Sequence, residues 1–213
     1  MTKYVKFRHE RARAEITSFD KFAELNACRQ KLLELLLIGA DPNGTSFGNL
    51  SVRDGATKNF YITGSATGAL LELTRADCTK VVAYNFERNW VKYQGSAVAS
   101  SESLTHAAIY RSNAMAGAVI HCHDSTLWTA ILNQAPTSSN AVGYGTPEMA
   151  YEVTRLFKVS DVQSRKIFVM AGHEGGIVTF GRDLEEAFAV LMHERKESSP
   201  SVNNAFHKRT PAC

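Results

Sequence analysis

The sequence predicts one α/β domain in which a central, mostly antiparallel β-sheet is flanked by α-helices. Short runs that alternate apolar and polar residues fill the middle of the 213-residue chain, and such runs are typical of half-buried strands. Stretches of helical period, several with a recognisable start signal, stand before and after these runs. A chain of this length can bury a full core, so the helices are expected to cover the sheet.

The first element is predicted to be an amphipathic helix between Ser18 and Leu37. Ser18 or Asp20 is available as its N-cap, and Gly39 marks its end. The apolar residues at helical spacing are Phe22, Leu25, Leu32, Leu33 and Leu36.

Two pairs of strands are predicted next. The segment 46–63, SFGNLSVRDGATKNFYIT, holds two alternating runs with Asp54 and Gly55 between them, which is typical of a hairpin. The segment 80–95, KVVAYNFERNWVKYQG, predicts another strand pair. These four strands would supply much of the antiparallel sheet.

A helix and a strand follow in close succession. The segment 100–113, SSESLTHAAIYRSN, predicts a helix with Ser100 or Ser101 as its N-cap. Glu102 would then lie in the first turn, where a carboxylate favours the helix dipole. The segment 118–124, AVIHCHD, is predicted to be a strand.

The C-terminal part of the chain predicts two helices and two strands. Thr146 as N-cap and Pro147 at the first helical position mark the start of one helix. The segment 166–181 predicts two strands around a glycine-rich bend. Asp183 and Glu186 stand at capping-box spacing before the last helix.

One domain is expected over residues 1–213, with a basic N-terminal extension at residues 1–17 and a loose C-terminal tail at residues 198–213. The net charge is +3, and basic residues concentrate at these two ends. Such ends can contact an anionic partner or simply be solvated. Because no basic stripe carries interleaved aromatic residues, a small-molecule partner is expected and a nucleic-acid partner is not.

The sequence also indicates a compartment. No stretch is long and apolar enough to cross a membrane, and the charged first residues do not form a secretory signal, so a cytoplasmic location is expected. The cysteines are scattered without a CxxC pair, which argues against a disulfide framework and a cysteine-ligated zinc. Buried or incidental thiols are expected at Cys28, Cys78, Cys122 and Cys213.

Two histidines stand one residue apart in the apolar segment AVIHCHDS, residues 118–125. Side chains two apart on a strand share a face, so His121 and His123 are expected to converge, with Val119 on the same side. Neutral histidine is the commonest metal ligand and suits Zn²⁺. Pairs at this spacing also occur on ordinary strands, so the motif alone leaves open both a metal site and two polar residues.

A third histidine and a glutamate extend this pattern. His173 follows the IFVMA strand inside the glycine-rich bend, and three histidines would leave an open position on Zn²⁺, as in catalytic sites. Glu102 could serve there as acid/base or fourth ligand, or simply occupy a first helical turn. His106 shares its helix face and could pair with Glu102, or be an ordinary core or surface histidine.

Six segments of the chain resemble, in order, the signature blocks of the class II aldolase/adducin family. They are GNLSVR (48–53), FYITGS (60–65), SSESLTHAAIY (100–110), AVIHCH (118–123), YGTPEMA (144–150) and GHEGGIVTFG (172–181). The resemblance extends over residues 20–195, and several independent motifs in one order make it specific. It implies the three-layer fold of that family.

For the site, the resemblance implies that His121, His123 and His173 bind zinc or another divalent cation, with Glu102 as the catalytic acid/base. It implies substrate-binding positions, including a phosphate site, at Gly48, Asn49, Thr63, Gly64, Ser65, Ser100 and Ser101. Backbone N–H groups and small hydroxyls in tight turns can bind anions, although plain turns between strands would use the same residues. A homotetramer with active sites between subunits is also implied.

The implied activity is that of a metal-dependent lyase of the class II aldolase type, active in carbohydrate metabolism. Such an enzyme breaks or forms a C–C bond of a small hydroxylated, sometimes phosphorylated, carbonyl compound while the metal stabilises the enediolate. Epimerases, dehydratases and decarboxylases of the family use the same site, and the epimerases tend to carry aspartate where Glu102 stands. The alternatives of another class are the non-catalytic adducin head, which lacks the ligands, and a structural zinc site, which three histidines do not close.

The sequence departs from the family pattern at two places. Gly64 stands where a proline usually follows Thr63, and the run from there to Leu73 differs in length. Two extra residues separate His173 from Gly181. Neither change removes a predicted ligand, but both bear on which substrate is bound.

Overall fold

The computed structural model describes residues 6–16 and 18–198. In these ranges the strands are β1 (Arg8–Arg11), β2 (Gly39–Ala40), β3 (Ser46–Phe47), β4 (Asn49–Arg53), β5 (Phe60–Thr63), β6 (Cys78–Asn85), β7 (Trp90–Gln94), β8 (Ala118–His123), β9 (Ile167–Val169) and β10 (Gly176–Gly181). The α-helices are α1 (Phe22–Glu34), α2 (Ser103–Ser112), α3 (Ser125–Ile131), α4 (Pro147–Val159), α5 (Val162–Arg165) and α6 (Leu184–Glu197).

Eight strands form one sheet in the order β1-β7-β6-β5-β4-β8-β10-β9, while β2 and β3 form a separate two-stranded sheet. Every neighbouring pair in the large sheet is antiparallel except β1 and β7, which run parallel. The predicted strand pairs are β4 with β5 and β6 with β7. The α/β class and the mostly antiparallel sheet are therefore confirmed.

The alternation along β8 divides the core into two layers. Val119 packs in a cluster with residues of α2 and α4, whereas Ile120 and Cys122 pack in a second cluster with residues of α1 and α6. Helices thus cover both faces of the sheet, which is the predicted three-layer arrangement. Burial of each large apolar side chain contributes about 1.5–3 kcal/mol, so both faces stabilise the strand that carries His121.

The first helix is shorter than predicted and lacks the predicted cap. Lys21 occupies the N-cap without a side-chain hydrogen bond, because the Ser18 carbonyl accepts from the Tyr61 hydroxyl at 2.7 Å and holds the preceding chain against the sheet. At the other end Leu36 takes a positive φ of 58°, and the Leu37 N–H donates to the Leu32 carbonyl at 2.9 Å. This closure ends the helix before Gly39 is reached.

The caps of the later helices follow the predictions in part. Thr146 and Asp183 cap α4 and α6 as predicted, and their side chains accept from the main-chain N–H groups three residues on. The capping box at α6 is incomplete because the Glu186 carboxylate accepts from the Arg182 N–H at 2.6 Å. The predicted cap of α2 is wrong, and its position is described with the site below.

The N-terminal extension contains structure that its composition does not indicate. Residues 8–11 form β1, which pairs in parallel with β7, and Phe7 is buried in the core. The four residues of β1 are exposed, as expected of a solvated end, whereas Phe7 is not. The C-terminal tail and Cys213 lie outside the described residues, except for Ser198, which follows α6.

Two predictions from composition can be compared with the structure. Cys28, Cys78 and Cys122 are buried free thiols, as expected. Among the helices in the described ranges, none has the length and apolar character needed to span a membrane.

Candidate metal centre

The three predicted histidine ligands converge on one point. One candidate ligand nitrogen from each of His121, His123 and His173 lies within 4.8 Å of the other two. The Nε2 atoms of His123 and His173 are 2.8 Å apart, and the ring centroids of the three pairs are separated by 5.2, 5.4 and 4.5 Å. Residues 50 positions apart in the chain thus meet in a single cluster.

Sheet register and a tight bend bring these side chains together. His121 lies opposite Asn49 on β4, and His123 lies opposite Gly176 on β10. The His173 N–H donates to the Met170 carbonyl at 3.0 Å, and the His173 carbonyl accepts from the Gly176 N–H at 2.8 Å. A Cβ at Gly176 would lie 2.7 Å from the His173 ring, so glycine is required where β10 begins.

Two aromatic rings pack against the histidine cluster. The Tyr144 ring stacks on His173 with centroids 4.2 Å apart, and the Phe47 ring lies 5.1 Å from that of His123. The Lys6 ammonium lies 3.2 Å from the Tyr144 ring centroid. The N-terminal segment therefore reaches the surroundings of the cluster.

The electrostatic environment keeps the three imidazoles neutral. Burial lowers the pKa of His123 to about 4 and that of His173 to about 3. Burial, reinforced by the neighbouring histidines, also places the pKa of His121 well below its usual value. Neutral histidine is the form that binds metal, so the cluster is ready to accept a cation near neutral pH.

The donor set fits a divalent cation. The buried Nε2 of His121 has no hydrogen-bond partner in the described structure, and a buried nitrogen without a partner costs free energy that a bound ion would recover. Zinc–nitrogen bonds of about 2.0–2.1 Å place the nitrogens of a tetrahedral site about 3.3 Å apart. Since the present separations are within 4.8 Å, small side-chain movements suffice, and the three histidines could hold a metal ion.

Glu102 faces the same cavity as the histidines. It occupies the N-cap of α2, since a turn in which Ser103 N–H donates to the Ser100 carbonyl precedes the helix. The prediction of Ser100 or Ser101 as cap is wrong, because the Ser100 hydroxyl accepts instead from the Glu102 N–H at 3.3 Å.

The Glu102 carboxylate is buried, which is unusual for an acidic side chain. Its side chain is 2% exposed, and neither carboxylate oxygen has a hydrogen-bond partner among the residues that the structure describes. Burial raises the pKa of Glu102 to about 7, against the opposing effects of the nearby Thr105 hydroxyl and the Lys6 charge. A carboxyl group with this pKa can both give and take a proton at neutral pH.

A cavity of about 250 Å³ opens beside the cluster. Of the predicted substrate-binding residues, those that line it are Gly48, Asn49, Gly64, Ser65, Ser100 and Ser101. Thr63 does not line it, because this buried residue uses its hydroxyl to accept from the Leu50 N–H at 3.2 Å. The predicted site residues are thus assembled around one space with this single exception.

Several lining residues were missed by sequence reasoning. Asp41, Thr45 and Ser46 reach the cavity from the turn between β2 and β3, and Phe47 and Tyr144 complete the wall. The block YGTPEMA contains Tyr144 and was the available signal for that residue. No sequence pattern marks the others, because the residues that a turn contacts are known only from the folded sheet.

A buried arginine fixes the loop that carries Gly64 and Ser65. Arg29 on α1 is 1% exposed, and its guanidinium donates to the carbonyls of Thr67 and Gly68 at 2.9 and 3.1 Å and to that of Leu70. Hydrogen bonds from a charged group are stronger than neutral ones. The loop in the cavity wall therefore depends on hydrogen bonds from α1.

The possible pairing of His106 with Glu102 does not occur. His106 is fully buried, and its Nδ1 lies 2.7 Å from the Ser51 hydroxyl, which also contacts the Tyr110 hydroxyl at 2.7 Å. Of the alternatives left open by the sequence, the core histidine is the one observed.

Gly48 offers a direct test of the wall. It has a φ of 80°, and a Cβ there would lie 2.3 Å from the Ile38 side chain, whereas Gly44 on the same loop has a φ of 79° and open space around it. Backbone strain should cost about 1 kcal/mol in both alanine variants, with about 2 kcal/mol more for overpacking at Gly48→Ala. Urea unfolding of both variants measures the difference, and equal destabilisation would contradict the close approach.

Together, the fold and the cluster define a three-layer α/β protein in which three histidines that could hold a metal ion share a cavity with a buried carboxylate. The family described as "Class II Aldolase and Adducin N-terminal domain" matches residues 36–195. The chain therefore belongs to the class II aldolase/adducin family, as its motifs predicted. Comparison with curated protein sequences gave no match.

Solved structures agree with this assignment. An L-fuculose 1-phosphate aldolase is similar with a TM-score of 0.65 and 23% identity, over 86% of this chain and 84% of that one. YgbL from Escherichia coli gives a TM-score of 0.62 and 19% identity over 83% and 85%. A sugar-phosphate aldolase from Thermotoga maritima gives 0.61 and 16% over 82% and 90%. At these identities the similarity establishes the fold.

Proposed function

We propose that the protein is a metal-dependent lyase of the class II aldolase type that breaks or forms a C–C bond of a small hydroxylated carbonyl compound. The observation that carries this proposal is the placement of three neutral histidines and one buried carboxylate around a single cavity. A purely structural zinc site would need a fourth protein ligand. An adducin-type module without catalysis would not need the cluster.

His121, His123 and His173 are proposed to hold Zn²⁺ or another divalent cation. Bound there, the ion would supply a Lewis acid for negative charge that develops on a carbonyl oxygen. The protein contributes three neutral nitrogens and a partly buried cavity. Both features strengthen electrostatic interactions in the site.

Glu102 is proposed to move the proton. In aldol cleavage its carboxylate takes the proton of the hydroxyl on the carbon that becomes the aldehyde, and then returns it to the other carbon of the broken bond. Synthesis reverses both proton transfers. Its pKa of about 7 supports either direction at neutral pH. Glutamate at this position also favours aldolase over epimerase chemistry within the family.

The proposed substrate lies against the turns at Gly48 and Asn49, at Gly64 and Ser65, and at Ser100 and Ser101. A volume of about 250 Å³ suits a small sugar-like molecule. Asp41 lines the same cavity, and its negative charge would oppose a phosphate dianion close by. Phosphorylated and unphosphorylated compounds are therefore to be compared.

We also propose a cytoplasmic homotetramer with active sites between subunits. Its support is family membership together with large apolar side chains that are exposed in the isolated chain, including Leu36 at 80%, Leu71 at 78% and Met115 at 71%. Exposed apolar surface is often covered by association.

An activity screen tests the proposed reaction. Purified protein loaded with Zn²⁺, Mn²⁺ or Co²⁺ is offered L-fuculose 1-phosphate, other ketose 1-phosphates and their unphosphorylated forms, and aldehyde release is measured. Epimerase and decarboxylase substrates are assayed in parallel, because YgbL is described as a candidate aldolase/epimerase/decarboxylase. Aldol cleavage that stops with a chelator is the expected result, and metal-dependent epimerisation or decarboxylation alone would assign the site to the alternative reactions.

A further inference from the structure

Asn49 contacts a predicted metal ligand directly. It lies opposite His121 across the β4–β8 pair, it is 6% exposed, and its Nδ2 atom is 3.3 Å from Nδ1 of His121. The resemblance to the family assigns Asn49 to the substrate. The structure also places it against His121, which lines the same cavity.

Two buried atoms in this pair lack partners within the described residues. They are Oδ1 of Asn49 and Nε2 of His121. An amide nitrogen can only donate, so with Nδ2 facing Nδ1 the histidine must accept there and carry its proton on Nε2. Because Asn49 engages Nδ1, Nε2 is the nitrogen left for a cation, and a protonated Nε2 has no lone pair to offer.

Turning the carboxamide by 180° reverses these roles without moving the side chain, since its two ends have nearly the same shape. The Oδ1 atom then accepts from the Nδ1–H of His121, and the Nε2 lone pair becomes available. The amide NH₂ then takes the place of Oδ1, a buried position without a partner among the described residues. A partner that fixes the tautomer in this way is a common feature of metal-binding histidines.

We propose that Asn49 is a positioning residue for His121: its side-chain oxygen accepts the Nδ1–H bond and thereby fixes the tautomer whose Nε2 binds the metal. This inference rests on the proposed metal site and adds a role that substrate contact alone does not require.

The dissociation constant for Zn²⁺, measured without substrate by competition with a chromophoric chelator, tests this role. Asn49→Leu has a similar size and no acceptor, so its dissociation constant should rise about 10–100-fold. Asn49→Asp keeps an acceptor on both ends and cannot donate, so it should bind Zn²⁺ within about threefold of the wild type or more tightly. Urea unfolding of the metal-free variants checks that each one folds.

The outcomes separate this inference from the proposed function. A wild-type protein that does not bind Zn²⁺ would overturn the metal site itself. Wild-type affinity in both variants, or equal weakening in both, would overturn the positioning role alone. Should Asn49→Leu not fold, ¹⁵N NMR of the metal-free wild type decides: a proton on Nδ1 of His121 supports the proposal, and a proton on Nε2 contradicts it.

Discussion

Replacing His121 with alanine is expected to reduce the bound divalent metal from about one ion per chain to nearly none. The substitution removes one of three nitrogens that converge within 4.8 Å, and the two that remain cannot fix a cation with comparable affinity. Loss of a residue that hydrogen-bonds a metal ligand weakens metal binding about 10–100-fold. Loss of the ligand itself should weaken metal binding more. Elemental analysis after Zn²⁺ loading and dialysis measures the content.

His193→Ala is a matched control for this experiment. His193 is an exposed histidine on α6, and it does not line the cavity. The control should retain the wild-type metal content, which excludes general effects of losing a histidine. Undiminished metal in a folded His121→Ala protein would exclude the ligand assignment.

Replacing Glu102 with glutamine is expected to leave the metal bound and to lower turnover about 10²–10⁴-fold, the usual contribution of a general acid or base. Glutamine has nearly the same shape but cannot carry the proton. Because burial already disfavours the charged carboxylate, the neutral amide should not reduce stability. The measurements are kcat on the compound identified by the screen, metal content and the urea midpoint.

Glu148→Gln provides the corresponding control, since Glu148 is an exposed glutamate in the first turn of α4. Its kcat should match that of the wild type. A Glu102→Gln protein that retains its metal and is fully active would exclude the proton-transfer role and leave the metal-ligand assignment unaffected.

The parts of the site that lie on one strand could be predicted because strand geometry has a fixed period. His121 and His123 share a face on any β-strand, so their convergence follows from spacing. His173 could be added as a candidate from its glycine-rich bend, but its meeting with the other two depends on β10 lying next to β8. Strand order is a property of the whole sheet, so before the structure only the family resemblance implied that His173 joins the other two histidines.

Other features depend on contacts that local patterns do not contain. The segment at residues 8–11 has no apolar alternation, yet it forms a strand by pairing with β7. The adjacent Phe7 is buried in the core. Serines at positions 100 and 101 are both good caps, and the turn ahead of α2 selects Glu102 instead. The carboxylate thus lies at the end of α2 that borders the cavity.

The central claim is that three imidazoles from distant parts of the chain bind one cation that still has an open position. Crystals grown with Zn²⁺ and measured at the zinc absorption edge test it most directly. The account predicts one anomalous peak per chain, about 2.0–2.1 Å from a nitrogen of each of His121, His123 and His173. A peak elsewhere, or one that His173 does not reach, would contradict it.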